Sequence, residues 1–232
     1  MPRKPPRRTR ERILETALAL FNRAGEPHVT TADIADEMNI SPGNLYYHFR
    51  NKDEIIGLLF GRLDASLSPL FAGPSSRDAD VEDLWLFMHL MFERVWEYRF
   101  FFRDLDEITS RDRKLATRVA DLLQREQNAV IELCNGLRNV GALRAADAEI
   151  AALAVNAVMI ATYWMSFQRL SRTAAATADG DPAAMQFERA IAHVLALLAP
   201  YLLGDHRALV EHLGARYVGT AGAPVRSDLA EE

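Results

Sequence analysis

Asn44 carries a side-chain amide with a donor and an acceptor side by side, a pair that can bond bidentately to the edge of a base. Pro42 and Gly43 just before it are small enough to allow close approach, or apolar contact with a thymine methyl. Tyr46, Tyr47 and His48 follow with hydroxyl and ring N–H donors suited to phosphate oxygens, and Lys52 adds a cation beside the free amides that open a helix. Each has a plainer use when taken singly: tyrosines pack half-buried, and a lone histidine is usually structural. The grouping is what points to recognition of double-stranded DNA.

Such a group reads bases only from the first turn of a helix that its neighbours hold against the duplex. Ile13, Leu14, Ala17, Leu18 and Phe21 recur at helical spacing and predict a helix over about Thr9 to Ala24, ended by Gly25 and Pro27. Thr30, with Asp33 three residues on, forms a capping-box signature for a short helix over 31–38 whose Ile34, Ala35 and Met38 face inward. After the Asn39-Ile40 connection, Ser41 is an N-cap and Pro42 a first helical residue, so a recognition helix is expected over about 42–49, anchored by Leu45 and Phe49. Asn51 and Glu54 repeat the cap signature and open a fourth helix towards Ser66, before Pro69, Gly73 and Pro74 mark a break.

Beyond the break every strong pattern is helical, over about 80–98, 100–109, 112–139, 147–171, 182–203 and 205–217, so the expected fold is all-α. Residues 84–102 are rich in aromatic and thioether side chains, including Trp85, Met88, Phe92, Trp96 and Phe102. With Met159 and Tyr163 they are candidates to line a site for a small apolar ligand, oriented by His89, Asn156, Arg118 or Arg125. Ordinary core packing is the competing use of each. Leu153, Val158, Phe167, Phe187, Ile191, Leu195 and Leu198 supply apolar surface for a homodimer seam built from helices 147–171 and 182–203.

The chain of 232 residues has a formal net charge of -5, but six basic residues, Arg3, Lys4, Arg7, Arg8, Arg10 and Arg12, crowd its start. Residues 1–8 therefore read as a basic flexible arm that can lie along phosphates or in a minor groove. The lone Cys134 cannot form an internal disulfide, and no secretory leader is evident, which makes the cytoplasm the expected location. The uncharged run Ile150 to Gln168 approaches membrane-spanning length, yet holds Asn156, Thr162 and Ser166, so no membrane role is expected. His89 and Glu93 are the nearest approach to a metal pair, and Glu-x-x-His pairs, nucleophile elbows and phosphate or dinucleotide fingerprints are missing. Neither an enzyme nor a metal or cofactor protein is expected.

The segment Thr30 to Lys52 resembles the helix-turn-helix of the TetR family, whose pattern ends in Leu-Tyr-x-His-Phe followed by lysine: residues 45–49 read Leu-Tyr-Tyr-His-Phe, with Lys52 in place. The resemblance implies phosphate contacts from Thr31, Tyr46, Tyr47, His48 and Lys52, and base contacts from Pro42, Gly43 and Asn44. Ala32 departs from members that carry a polar base-reading residue there. It also implies a helix-turn-helix DNA-binding domain over 9–66, a helical effector-binding and dimerisation domain over 67–218, and a flexible tail over 219–232. Gly25-Glu26-Pro27, Ile40 to Leu45 and Tyr98 to Leu105 are similar to the PhaD-like subgroup, regulators of polyhydroxyalkanoate metabolism, which implies an acyl-CoA or fatty-acid-derived effector. The function implied is a repressor released from a palindromic operator by that effector. An activator of the same build, or an architectural DNA-binding protein without effector, are the alternatives.

Overall fold

A computed structural model describes residues 6–72, 79–171 and 183–219. Arg3, Lys4, Gly73, Pro74, the tail from 220 and the Phe187 side chain lie outside the described residues. Among those described, residues within 1–72 and 93–126 form one compact unit, and those within 73–92 and 127–232 a second.

The first unit opens with α1 (Pro6–Ala24), which starts before the expected Thr9, so Arg8 belongs to a helix rather than to an arm. Gly25, at φ 97°, takes the left-handed backbone that lets the chain leave α1. A single 3-10 turn (Glu26–His28) then leads to α2 (Thr31–Glu37) and α3 (Pro42–His48). The capping box is present: Thr30 Oγ1 accepts from the Asp33 amide at 3.2 Å, and Asp33 accepts from the Thr30 amide at 2.7 Å. Bonds from the Thr30 side chain and amide hold the Asp33 carboxyl below its usual range. Asn39 makes the turn at φ 53°, a conformation asparagine tolerates better than most side chains. Ser41 caps α3 through the Asn44 amide at 3.2 Å, and Asn51 caps α4 (Lys52–Phe71) through the Glu54 amide at 2.9 Å. The α4 helix passes the expected stop at Ser66 because Pro69 falls in its last turn, where it ends the helix two residues later. The boundary expected at 66/67 thus lies inside a helix.

Ile13, Ala17, Phe21, Ile34, Leu45, Ile55, Leu59 and Leu63 close the core beneath these helices. Their burial is the main stabilising term, at about 1.5–3 kcal/mol for each large side chain. Two short helices, α6 (Arg99–Arg103) and α7 (Leu105–Arg111), replace the single expected helix over 100–109. They follow α5 (Val81–Glu97) and precede α8 (Arg113–Asn139). The α6 rings complete the first unit: Phe100 lies 5.1 Å from Phe21 and Phe101 lies 5.2 Å from Phe60, centroid to centroid. Asn22 fixes this docking, donating to the Glu97 carbonyl at 2.8 Å and accepting the Phe100 amide at 3.0 Å.

The second unit holds the first part of α5, the rest of α8, α9 (Asp147–Ser171), α10 (Ala183–Leu198) and α11 (Gly204–Gly219). Gly136 of α8 is required by a close approach, since a Cβ there would meet the Ala79 Cβ at 2.6 Å. Backbone bonds Arg144 N to Tyr201 O (2.8 Å) and Leu203 N to Ala142 O (2.9 Å) tie the end of α8 to the 3-10 turn (Ala199–Tyr201) around Pro200. By length and composition α9 is apolar enough to cross a membrane. It buries Ile150, Leu153, Ala154, Ala157, Val158, Ala161 and Thr162 on one face. Val155, Met159, Tyr163, Phe167 and Leu170 form an exposed apolar stripe on the other.

Candidate nucleic-acid interface

The cap at Ser41 and the buried Leu45, at 0 % exposure, fix the rotation of α3 about its axis. That rotation leaves Pro42, Gly43 and Asn44 exposed together on the first turn. Apart from Gly43, its chain neighbours and the helix's own backbone, no described heavy atom lies within 4 Å of the position a Gly43 Cβ would take, so the turn offers an open approach. Phe49, beneath the guanidinium of Arg10 at 4.9 Å, pins the other end of the helix. Tyr46 and Tyr47 project outward, Tyr47 at 79 % exposure, and His48 packs edge-on against the Tyr47 ring. The hydroxyls of Thr31 and Tyr46 lie 3.0 Å apart, which sets the start of α2 beside the middle of α3. The structure therefore brings Thr31, Pro42, Gly43, Asn44, Tyr46, Tyr47 and His48 to one outward-facing end of the first unit.

Lys52 already has partners within the unit. Its ammonium lies 2.8 Å from Glu26 Oε1 and donates to the carbonyls of Glu26 and Val29, each at 3.0 Å. Two of the three ammonium hydrogens are thus given to main-chain carbonyls, beside the ion pair. The cause is Glu26, a carboxylate at 0 % exposure, which needs cations to be buried at all. Arg111 of α7 meets the same Oε1 at 2.9 Å. The Glu26 amide donates to Asp104 Oδ2 at 3.0 Å, and Arg103 donates to the Phe21 carbonyl at 2.7 Å. The stretches Gly25 to Pro27 and Tyr98 to Leu105 are thus joined in one bonded cluster of the first unit. Sequence reading missed Glu26, Arg103, Asp104 and Arg111; the signal was a glutamate placed between the end of one apolar helix and the start of the next.

The candidate ligand residues divide between the units. Trp96, Phe102, Arg118 and Arg125 belong to the first, where both arginines bracket α4 to α8. Arg118 donates to the Gly57 carbonyl at 3.3 Å and lies 4.7 Å over the Phe60 ring. Arg125 pairs with Asp64 and Asp121, donates to Ser68 and covers the Phe71 ring at 5.7 Å. Both cations are already engaged by groups of the first unit. Phe102 is core, edge-on to Phe101, and Trp96 carries the Arg99 guanidinium at 4.5 Å. Trp85, Met88, His89, Phe92, Asn156, Met159 and Tyr163 belong to the second unit. Trp85 and His89 stack at 5.1 Å, Met88 and Phe92 are buried, and Asn156 is half-buried. Met159 and Tyr163 instead stand on the exposed α9 stripe. The expected seam residues Leu153, Val158, Ile191, Leu195 and Leu198 are buried within the unit, which leaves Phe167 on the outward stripe. Thr162 was missed: its Oγ1 is buried, at 1 % residue exposure, with no hydrogen-bond partner among the described residues.

A capped three-helix head with an exposed Pro-Gly-Asn turn defines a helix-turn-helix DNA-binding protein. Residues 13–58 match the family of bacterial regulatory proteins named for TetR, and residues 62–210 match its bacterial transcriptional repressor domain. The chain belongs to the TetR family of transcriptional regulators. A TetR-family regulator from Marinobacter aquaeolei VT8 superposes with a TM-score of 0.80 at 31% identity, covering 90% of this chain and 98% of that one. The regulator TtgR of Pseudomonas putida is 29% identical over 133 residues, or 56% of this chain. That match spans 62% of TtgR. The repressor KstR2 of Mycolicibacterium smegmatis is 36% identical over 77 residues, covering 28% of this chain and 38% of that one.

Proposed function

We propose that the protein is a cytoplasmic, homodimeric repressor that occupies a palindromic operator and leaves it when a small apolar molecule binds the second unit. The observation that carries the reading is the exposed Pro42-Gly43-Asn44 turn above a fully buried Leu45, the arrangement needed to present a helix N-terminus to base edges. Asn44 reads a base, Pro42 and Gly43 allow the approach, and Thr31, Tyr46, Tyr47 and His48 position the head on phosphates.

One recognition helix spans only a few base pairs, so a twofold dimer places two of them about 34–36 Å apart on successive major grooves. The seam is assigned to the α9 stripe Val155, Met159, Tyr163, Phe167 and Leu170, because contiguous exposed apolar surface of this kind marks an interface. The effector site is assigned within the second unit to Trp85, Met88, His89 and Phe92 of α5, with Asn156 and the unsatisfied Thr162 hydroxyl of α9 as polar anchors. An acyl chain derived from a fatty acid or acyl-CoA suits that lining. Helix α8 runs from the first unit into the second, and the Arg118 and Arg125 bracket passes its movement to α4 and the reading head. A coupling of about 1–3 kcal/mol between effector and operator suffices for control.

Mass spectrometry of ligand carried through purification, followed by titration of fatty acids and acyl-CoA esters into the operator complex, tests this. Release of DNA is the expected result. A dimer whose operator binding no compound in such a panel alters would contradict the sensing half and leave the DNA-binding half standing.

A further inference from the structure

We propose that Arg50, and not Lys52, supplies the cation that grips the DNA backbone at the corner between α3 and α4. The proposal rests on Pro42 to Asn44 being the base-facing turn. Lys52 is already engaged inside the unit: it pairs with Glu26 Oε1 at 2.8 Å and donates to the Glu26 and Val29 carbonyls. Swinging it outward would leave Glu26, at 0 % exposure, with Arg111 as its remaining cation and with Oε2 already lacking a partner. The buried carboxylate therefore decides which of the corner's cations faces solvent.

Arg50, two positions earlier, has the opposite character. It is exposed, and no acceptor among the described residues takes its guanidinium. Its root is nevertheless rigid. The Arg50 amide donates to Glu54 Oε2 at 2.9 Å, the Glu54 amide is held by the Asn51 cap at 2.9 Å, and Arg10 holds Glu54 Oε1 at 3.5 Å. A fixed backbone under a free planar fork suits bidentate capture of a phosphate. Asp53, the nearest carboxylate in sequence that faces solvent, lies 3.9 Å from Arg111 and is partly neutralised there.

The dimensions agree. The seven residues of α3 span about 10 Å along the axis, close to the roughly 12 Å width of the major groove. With the first turn on base edges, the far end of the helix and the corner after it reach the groove wall, where the phosphates are. Tyr47 and His48 stand at that same end.

The test is fluorescence anisotropy of a duplex enriched by the parent protein, titrated at salt concentrations from about 50 to 200 mM. Arg50→Ala is expected to weaken enriched and random duplexes alike and to reduce the salt slope by about one unit per bound protomer. Arg50→Lys is expected to recover most of the slope, and the thermal melt of both to match the parent because the side chain is exposed. Lys52→Met is expected to keep the parent slope. Should that variant fail to fold, Glu26→Gln/Lys52→Met removes both charges together and is expected to keep it too. An unchanged slope in Arg50→Ala, or a loss of one unit in Lys52→Met, overturns the proposal while leaving the base-reading turn intact. A parent protein that enriches no sequence and binds no duplex overturns the turn as well.

Discussion

Replacing Lys52 by methionine keeps its length and removes its charge, which isolates the strut beneath the reading head. The parent side chain makes one ion pair with a fully buried carboxylate and two hydrogen bonds to main-chain carbonyls. Breaking one partner of a buried pair costs about 3–5 kcal/mol when the other charge is stranded. Here Arg111 remains on the same Glu26 oxygen, and the Lys52 side chain is 22% exposed, so water can reach part of the vacated corner. The loss is therefore about 2–3 kcal/mol, a large part of the 5–15 kcal/mol that holds a typical domain together. Glu26→Gln is expected to cost a similar amount, and the double variant less than the sum by about 1–2 kcal/mol, because the second change removes a charge already short of partners. Urea unfolding followed by helical circular dichroism reads these differences as shifts in midpoint at constant slope. A loss under about 0.5 kcal/mol for Lys52→Met, or strictly additive single changes, would refute the strut.

Burial pushes the Glu126 carboxyl up to about 8, so the folded chain keeps a proton that the unfolded chain releases near its ordinary value. Between about pH 4.5 and 8 the native state binds more protons than the unfolded state, and stability falls as pH rises, by roughly 1 kcal/mol per unit. Glu126→Gln is expected to flatten that dependence and raise the melting temperature at neutral pH; a melt profile parallel to the parent's would count against it. Phe167→Glu, placed on the exposed α9 stripe, is expected to convert a dimer into a monomer near 26.0 kDa by light scattering, whereas Leu153→Ala weakens folding instead. Arg125→Ala is expected to cost only about 1 kcal/mol, since the pair with Asp64 is one-third exposed, and to reduce the change in operator affinity that a bound effector produces.

The parts of this fold that were legible in the sequence are those set by neighbours a few residues away. Thr30 with Asp33, Ser41 with Pro42, and Asn51 with Glu54 announce three helix starts, and the structure shows each cap bonded. The pairing of Lys52 was not legible because its partner lies 26 positions earlier, and no local pattern reports that a distant glutamate is buried. The break at Asp104 has the same origin, since its carboxylate is used by the Glu26 amide 78 positions away. The orientation of α9 was hidden for a different reason. A helix apolar on two opposite faces has no dominant stripe, so spacing alone cannot say that Leu153 and Val158 turn inward while Val155 and Met159 turn outward. The candidate ligand arginines, Arg118 and Arg125, fit any polar role until α4 is seen to present Gly57, Asp64 and Ser68 to them.

The most direct test of the central claim is selection of bound duplexes from a randomised pool by the parent protein and by Asn44→Ala. The parent is expected to enrich a twofold-symmetric sequence and Asn44→Ala to lose preference at one base pair of each half-site, costing about 1–3 kcal/mol there with the salt slope unchanged. Enrichment of the same sequence with the same base preferences by both proteins, or of no symmetric sequence by the parent, would contradict it.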